Sequence, residues 1–280
     1  MNGQVIVLKH SSRILRKNPL KDPFIRNVLV YLPPSYGKSG KKFPAAYLIS
    51  GFTGFGAMNM NVSAYSENIQ QRLDRLIAAK KIREMIVVMP DCFTRYGGSQ
   101  YVNSTATGRY EDYMIREIVP FIDSNFKTIP KPASRCIIGK SSGGYGAMWL
   151  AMRHPDIFGL MVTHSGDSAF EYCYMKYFPE FSVQISRYGR GHIGISNFIK
   201  TQLNFEQPKS NDFHNIINVI GMSSCYSPNP KRKEYNFDLP FDIYTSEIIP
   251  HIWKKWLQFD PVRLVSKYKA NLKKLKLIFV

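Results

Sequence analysis

Several features are scarce in this sequence, and each shortage excludes a class of protein. The 280 residues include only four cysteines, and no two of them form a C-x-x-C pair. Widely spaced cysteines favour reduced thiols in a cytoplasmic protein and give no support for a metal site. We also expect no cofactor. No run of about 18 apolar residues is present, so we expect no membrane span. The first twelve residues are polar and charged where a signal peptide needs an apolar core, which argues against secretion.

Acidic residues are also scarce, with 20 Asp and Glu against 38 Lys and Arg and a formal net charge of +18. Such a charge is compatible with an anionic partner such as nucleic acid. The basic residues are spread along the chain, however, and no nucleic-acid-binding motif accompanies them. We therefore interpret them as a solvated basic surface and expect neither nucleic acid nor a membrane as a partner.

The most informative stretch is CIIGKSSGGYGAM, at residues 136–148. A β-rich run ends at Gly139, Ser141 follows two residues later, and an apolar segment typical of a buried helix comes next. In this strand–turn–helix context G-x-S-x-G forms a nucleophile elbow, because small residues beside the serine let the two arms of the turn pass closely. The backbone N–H of Ser142 would then lie at a helix N-terminus and face a developing oxyanion. The alternative is an ordinary glycine-rich turn.

Elsewhere short apolar runs alternate with helical patterns, which predicts an α/β fold with a mostly parallel sheet. The run at 44–50 is apolar on both faces, as buried parallel strands are, and leads directly into GFTGFG. A glycine-rich loop there, upstream of an elbow, supplies the second oxyanion donor in this architecture, so the backbone N–H of Phe52 is our candidate. A flexible turn without a chemical role is the alternative. The other predicted strands are 5–8, 24–32, 85–89, 136–139, 158–163 and 275–280, with helices at 66–81 and 110–125.

The regular alternation pauses between about residues 168 and 256. This stretch is rich in aromatic residues and lacks clear periodicity. We interpret it as a lid or cap inserted over the carboxyl end of the sheet, within one domain that spans residues 1–280. Alternation resumes at Asp260 and Pro261, where an N-cap residue followed by proline predicts the start of a helix.

With these residues in view, the chain resembles the putative-esterase family of α/β-hydrolases, which includes esterase D (S-formylglutathione hydrolase), siderophore-ester esterases and mycolyltransferases. The shared features occur in family order and cover nearly all of the chain. They are YLPPSY at 31–36, ISGFTG at 49–54, VVMPD at 87–91, YEDYMIREIVPFID at 110–123, GKSSGGYGAM at 139–148, HSGD at 164–167 and WLQFDPVRLV at 256–265. The resemblance implies the α/β-hydrolase fold, with helices on both faces of the sheet. It also implies that Ser141 is the nucleophile and that the N–H groups of Ser142 and Phe52 form the oxyanion hole.

The sequence departs from the family at its end. The family takes its acid from the loop after the strand that matches 275–280 and its histidine from a later loop, and the sequence stops before both. A serine without a base is a poor nucleophile. Among the five histidines after Ser141, His164 is the best substitute base, because it ends a strand beside the elbow and Asp167 follows it. A local turn is the alternative for these two residues. The simplest expectation is a truncated chain that lacks the last helix and strand of the fold.

Three functions are compatible with these features. In the first, a serine esterase, Ser141 attacks a carboxylic ester or thioester, and water then hydrolyses the acyl-enzyme. The second is an acyltransferase of the same fold, in which an alcohol replaces water. The third is a binding protein of impaired activity, because the chain shows only one member of the catalytic triad. The expected partner is a small-molecule ester.

Overall fold

A mostly parallel sheet lies at the centre of the protein. The structure, a computed structural model, describes residues 2–38, 40–203 and 208–280. Within these residues the main sheet has seven strands, and a separate two-stranded ribbon lies beside it. In chain order the strands are β1 (Gln4–Ser11), β2 (Ile25–Leu32), β3 (Ala45–Ile49), β4 (Ile86–Pro90), the ribbon strands β5 (Asn103–Ser104) and β6 (Gly108–Arg109), then β7 (Arg135–Lys140), β8 (Leu160–His164) and β9 (Leu277–Phe279).

The strand order in the main sheet is β1-β2-β4-β3-β7-β8-β9. The pairs β1·β2 and β2·β4 are antiparallel, and every pair from β4 to β9 is parallel. The carboxyl ends of β3, β4, β7 and β8 therefore lie at one edge of the sheet. The start of β2 lies at that edge too, because Val28 is paired with Pro90.

Eleven α-helices surround the sheet in the described ranges, and none of them is long and apolar enough to cross a bilayer. A π-helical segment, Tyr113–Ile118, joins α2 to α3, so that 110–125 is helical throughout, as predicted. The helices are α1 (Ile69–Ala78), α2 (Tyr110–Asp112), α3 (Val119–Asn125), α4 (Ser142–Arg153), α5 (Phe170–Cys173), α6 (Tyr177–Ile185), α7 (His192–Gln202), α8 (Phe213–Tyr226), α9 (Pro250–Leu257), α10 (Pro261–Lys267) and α11 (Lys269–Leu272).

Two hydrophobic clusters cover the two faces of the sheet. Successive residues of β2 alternate between them, with Val28 and Val30 in the larger cluster and Leu29 and Tyr31 in the smaller. The smaller cluster packs under α1, and the larger takes in α4 and the helical stretch 110–125. Helices thus lie on both faces, as predicted, because a parallel sheet must be covered on each side.

The stretch 168–256, expected to be irregular, holds α5 to α8 and nearly all of α9, and the irregular parts that the structure describes lie between those helices, above all from 227 to 249. Aromatic side chains pack these helices together, with the rings of Phe178 and Phe241 stacked at 4.4 Å. Asp260 caps α10 as predicted, since its carboxylate accepts from Val262 N at 3.1 Å. The same carboxylate also accepts from Ala169 N at 3.0 Å and Phe170 N at 3.1 Å, so it joins both ends of this stretch.

Candidate active site

Ser141 occupies the corner between β7 and α4. Its φ is 57° and its ψ is −128°, and its side chain is exposed. A non-glycine residue in this region costs of order 1–3 kcal/mol, so the surroundings must hold it there. Two backbone hydrogen bonds do so: Ser141 N donates to His164 O at 3.0 Å, and Tyr145 N donates to Ser141 O at 2.9 Å. The serine hydroxyl is thereby presented at the carboxyl edge of the sheet.

The glycines on either side of Ser141 permit this corner. A Cβ added to Gly139 would lie 2.3 Å from the carbonyl group of Gly143, and one added to Gly143 would lie 2.4 Å from Ile49 O. Contacts that short do not occur for real side chains. The two arms of the turn therefore pass so closely that only glycine fits at both positions, which is the reason that the G-x-S-x-G spacing suggested.

The glycine-rich loop after β3 lies against Ser141. A Cβ added to Gly51 would be 3.6 Å from Ser141 Cβ. The loop is fastened by Thr53 N, which donates to Gly97 O at 2.7 Å, and by Gly54 N, which donates to Gly51 O at 3.0 Å. Phe52 N, between Gly51 and Thr53, donates no hydrogen bond to any of the residues that the structure describes.

Ser142 is the first residue of α4, where a backbone N–H has no partner within the helix. The N–H groups of Phe52 and Ser142 are thus both available beside the serine. Their direction toward a bound oxyanion stays a prediction.

Asp167, which contacts the residue after Ser141, accepts three hydrogen bonds that could not be predicted from the sequence. Its Oδ2 accepts from Ser142 Oγ at 3.1 Å, Gln100 Nε2 at 3.1 Å and Tyr174 OH at 3.0 Å. Burial raises the pKa of Asp167, and the three donors oppose that rise. The network ties the first residue of the elbow helix to the loop after β4 and to the segment 168–256. HSGD marked Asp167 in the sequence, but no pattern there pointed to Gln100 or Tyr174.

The structure places His164 at the same edge as Ser141 without joining the two side chains. His164 is paired in register with Lys140, the residue before Ser141, and its ring is exposed. Within the described ranges, its ring makes no hydrogen bond to Ser141 Oγ or to Asp167. The role of His164 as a substitute base therefore stays a prediction.

A second histidine, His214, lies near the glycine-rich loop. Its exposed ring packs edge-on against Phe52 at a centroid distance of 6.1 Å. Sequence reasoning gave it no role, because 162 positions separate the two residues and no motif surrounds His214. In the parts of the chain that the structure describes, no three His, Cys, Asp or Glu side chains are grouped so as to hold a metal ion.

Comparison with known proteins gives a family for this chain. A family model described as "Putative esterase" matches residues 25–280. Protein YbbA of Bacillus subtilis, described as uncharacterized, is 30% identical over 156 residues, 52% of this chain and 58% of that protein. An endo-1,4-beta-xylanase/feruloyl esterase of Xylanibacter ruminicola is 33% identical over 141 residues, 49% of this chain and 19% of that protein. The matched part is less than two thirds of the length of either relative.

A solved structure extends the likeness to the whole chain. S-formylglutathione hydrolase (FrmB) from Staphylococcus aureus matches 100% of this chain and 79% of its own, with a TM-score of 0.51 and 16% identity. At that identity the likeness establishes the fold alone, and the predicted α/β-hydrolase fold is confirmed. Because the family model covers well over half of the residues, the chain belongs to the putative-esterase family of α/β-hydrolases.

Proposed function

We propose that this protein is a serine esterase and that Ser141 is its nucleophile. The observation that carries the proposal is the conformation of Ser141, an exposed serine held at a φ of 57° at the carboxyl edge of a parallel sheet. The glycine-rich loop that carries Phe52 lies against it. A strained corner persists only where the surrounding structure enforces it, and such corners cluster at active sites. Membership of an esterase family agrees with the proposal.

The proposed reaction proceeds through an acyl-enzyme. Ser141 Oγ bonds to the carbonyl carbon of an ester or thioester while its proton passes to a base, and the C=O electron pair moves onto the oxygen. The N–H groups of Phe52 and Ser142 donate to that oxyanion, and each such donor contributes about 10²–10³ in rate. The oxyanion collapses and expels the alcohol or thiol, which takes up the proton. Water then hydrolyses the acyl-enzyme by the same steps and releases the acid.

A fluorophosphonate probe tests the nucleophile directly, since it reacts only with an activated serine. We expect the protein to be labelled on Ser141 and Ser141→Ala to lose both the labelling and the turnover of a chromogenic short-chain ester. The exposed Ser63 supplies a matched control, and Ser63→Ala should behave as wild type. Undiminished labelling of Ser141→Ala would contradict the proposal. Absence of labelling in the folded protein would favour a binding protein instead, and transfer of the acyl group to an added alcohol would favour an acyltransferase.

Two histidine variants identify the base. His164 is the candidate by register, and His214 lies beside Phe52. If either ring accepts the proton of Ser141, its replacement by alanine should lower the labelling rate by at least 10²-fold, the effect of general base catalysis. Neither ring is hydrogen-bonded to Ser141 within the described ranges, but such bonds often form only when substrate is bound, so both variants are informative. If both label within about threefold of wild type, neither histidine is the base.

A further inference from the structure

The ring of Phe52 lies against glycines of two different elements. A Cβ added to Gly97 would lie 2.4 Å from Phe52 Cζ, and one added to Gly98 would lie 3.2 Å from Phe52 Cδ2. A Cβ added to Gly221 would lie 2.7 Å from Phe52 Cε2. Gly97 and Gly98 belong to the loop after β4, whereas Gly221 lies within α8. The ring therefore contacts the backbone of both elements at places where a larger side chain would collide with it.

Helix α8 contacts the ring at two positions that are seven residues apart. The ring of His214 packs edge-on against Phe52 at a centroid distance of 6.1 Å, and Gly221 approaches the same ring two turns later. Residues seven apart share one face of a helix, so this face of α8 lies along the ring. Gly221 is buried, and glycine within a helix is less stable than alanine by about 1 kcal/mol. The space that Gly221 leaves is occupied in part by the ring of Phe52.

The loop that carries Phe52 is strained and depends on contacts with other elements. Thr53, the next residue, has a φ of 61°, which is unusual for a β-branched side chain and costs about 1–3 kcal/mol. Thr53 N donates to Gly97 O at 2.7 Å, so the loop after β4 holds this residue as well. Gly51 lies against Ser141, so a shift of the Phe52 ring also moves its N–H relative to the nucleophile.

We propose that Gly221 is a positioning residue for Phe52, whose N–H is one of the two proposed oxyanion donors. Through this contact α8 couples the segment 168–256 to the reactivity of Ser141, although Gly221 has no side chain that could react. The inference rests on the proposed esterase function, because it assigns a further residue to that site. An oxyanion donor acts only at hydrogen-bond distance from the developing charge, so a misplacement of about 1 Å lowers the rate about 10²-fold.

The variant Gly221→Ala tests the assignment. The added methyl group would lie 2.7 Å from the ring of Phe52 and 2.6 Å from Tyr96 O. Tyr96 O is a backbone atom that cannot rotate away, so α8 and the two loops must separate. For a chromogenic ester we expect kcat to be about 10²-fold lower and KM to stay within threefold of wild type, because an oxyanion donor stabilises only the transition state. An unchanged kcat, or a rise in KM alone, would overturn the proposal.

The matched control is Gly194→Ala, which overpacks α7 in the same segment. Its Cβ would lie 2.5 Å from Gly189 O and 2.6 Å from Ile185 O, and both neighbours belong to 168–256. Urea denaturation of each variant gives the folded fraction, to which the rates are referred. We expect Gly194→Ala to keep kcat within twofold of wild type. An equal loss of kcat in the two alanine variants would overturn the proposal.

A double variant shows whether the ring transmits the effect. Leucine lacks the outer ring atoms Cε2 and Cζ, which are the atoms of Phe52 closest to Gly221. Phe52→Leu alone should lower kcat at least fivefold with KM unchanged, and an unchanged kcat would overturn the proposal even if Gly221→Ala does not fold. In the Phe52→Leu background, Gly221→Ala should lower kcat by less than about tenfold, because residues in contact have non-additive effects. Equal factors in the two backgrounds would overturn the assignment.

Hydrogen exchange of the Thr53 amide, measured by NMR, tests the position of the loop without catalysis. The bond to Gly97 O protects this N–H, so its exchange reports the opening of the loop. We expect exchange at least tenfold faster in Gly221→Ala and within threefold of wild type in Gly194→Ala. Unchanged exchange in Gly221→Ala would overturn the proposal, and faster exchange without a loss of kcat would overturn its link to Ser141.

The same measurement separates this inference from the esterase proposal. If wild type neither reacts with the fluorophosphonate nor turns over an ester, the esterase proposal fails. The exchange rates of the two alanine variants then still decide whether Gly221 holds the loop that carries Phe52.

Discussion

Replacing Gly143 by alanine perturbs the elbow at its closest contact. The added Cβ would lie 2.4 Å from Ile49 O and 2.9 Å from Ser50 O, where ordinary contacts begin at 3.4 Å. Both neighbours are backbone atoms, so neither can rotate away as a side chain would. The start of α4 and the end of β3 must therefore separate by about 1 Å, the difference between 3.4 and 2.4 Å.

That separation has consequences for stability and for reactivity. Overpacking of this kind costs about 1–3 kcal/mol of the free energy of unfolding. The displacement also parts the two oxyanion donors, because β3 leads to Phe52 and α4 begins at Ser142. A misplacement of about 1 Å lowers rates by about 10²-fold. We therefore expect Gly143→Ala to react with the fluorophosphonate about 100 times more slowly, while most of the protein remains folded.

The assay is the second-order rate constant of labelling, measured beside urea denaturation of the same preparation. Gly40→Ala is the matched control, since a Cβ at Gly40 has nothing within 4 Å. The control should change the free energy of unfolding by less than about 0.5 kcal/mol and the labelling rate by less than twofold. If Gly143→Ala matches the control in both measurements, the close passage of β3 and α4 does not hold the elbow in its reactive geometry.

Three further substitutions test buried contacts of the fold. Glu111 accepts hydrogen bonds from Trp149, Arg153 and His154 at 2.8–3.0 Å. Glu111→Gln should therefore lower the free energy of unfolding, measured in urea, by about 2–3 kcal/mol. This loss is smaller than for a fully buried ion pair, because Arg153 is one-third exposed. Asp260→Ala removes a buried acceptor of three N–H groups and should cost about 2–3 kcal/mol in the same assay, with faster proteolysis within residues 168–256. Burial raises the pKa of Asp167 in the folded protein. Its contribution to stability is therefore fully present below its ordinary pKa of 3.8 and is lost as pH rises through the folded pKa. The stability of Asp167→Asn relative to wild type should thus increase from pH 4 to pH 8. A relative stability that falls over that range would contradict this sign.

The sheet and the elbow could be predicted because their signals are local. Every predicted strand of the main sheet is present, with ends that differ by three residues at most. The elbow depends on a few small residues around Ser141, and each acts on neighbours that the chain direction already brings close. Helix α1 is shorter than the predicted 66–81 because Asn68 and Gln71 cap each other reciprocally at its start, and Lys80 leaves the helical region with a φ of 54°.

The helices of 168–256 could not be predicted from periodicity. In α8 every residue from Val219 to Tyr226 is buried, so no polar face marks the 3.6-residue repeat. The hydrogen bonds to Asp167 could not be predicted either. Gln100, one of the donors, lies 67 positions away in a loop, where its φ is 48°. Such contacts follow from the tertiary fold rather than from local sequence. The cytoplasmic location and the lid role of 168–256 stay predictions.

Asp260 accepts a hydrogen bond from Ala169, 91 positions earlier at the beginning of the helical segment after β8, and another from Val262 in α10, the helix that follows the segment. The two ends of the helical segment are thus held together by a single carboxylate, that of Asp260. The entropy of closing such a loop grows only with the logarithm of its length, so segments of very different size could be exchanged between these two points at little cost. A scaffold built in this way could exchange this segment while its set of strands stays unaltered.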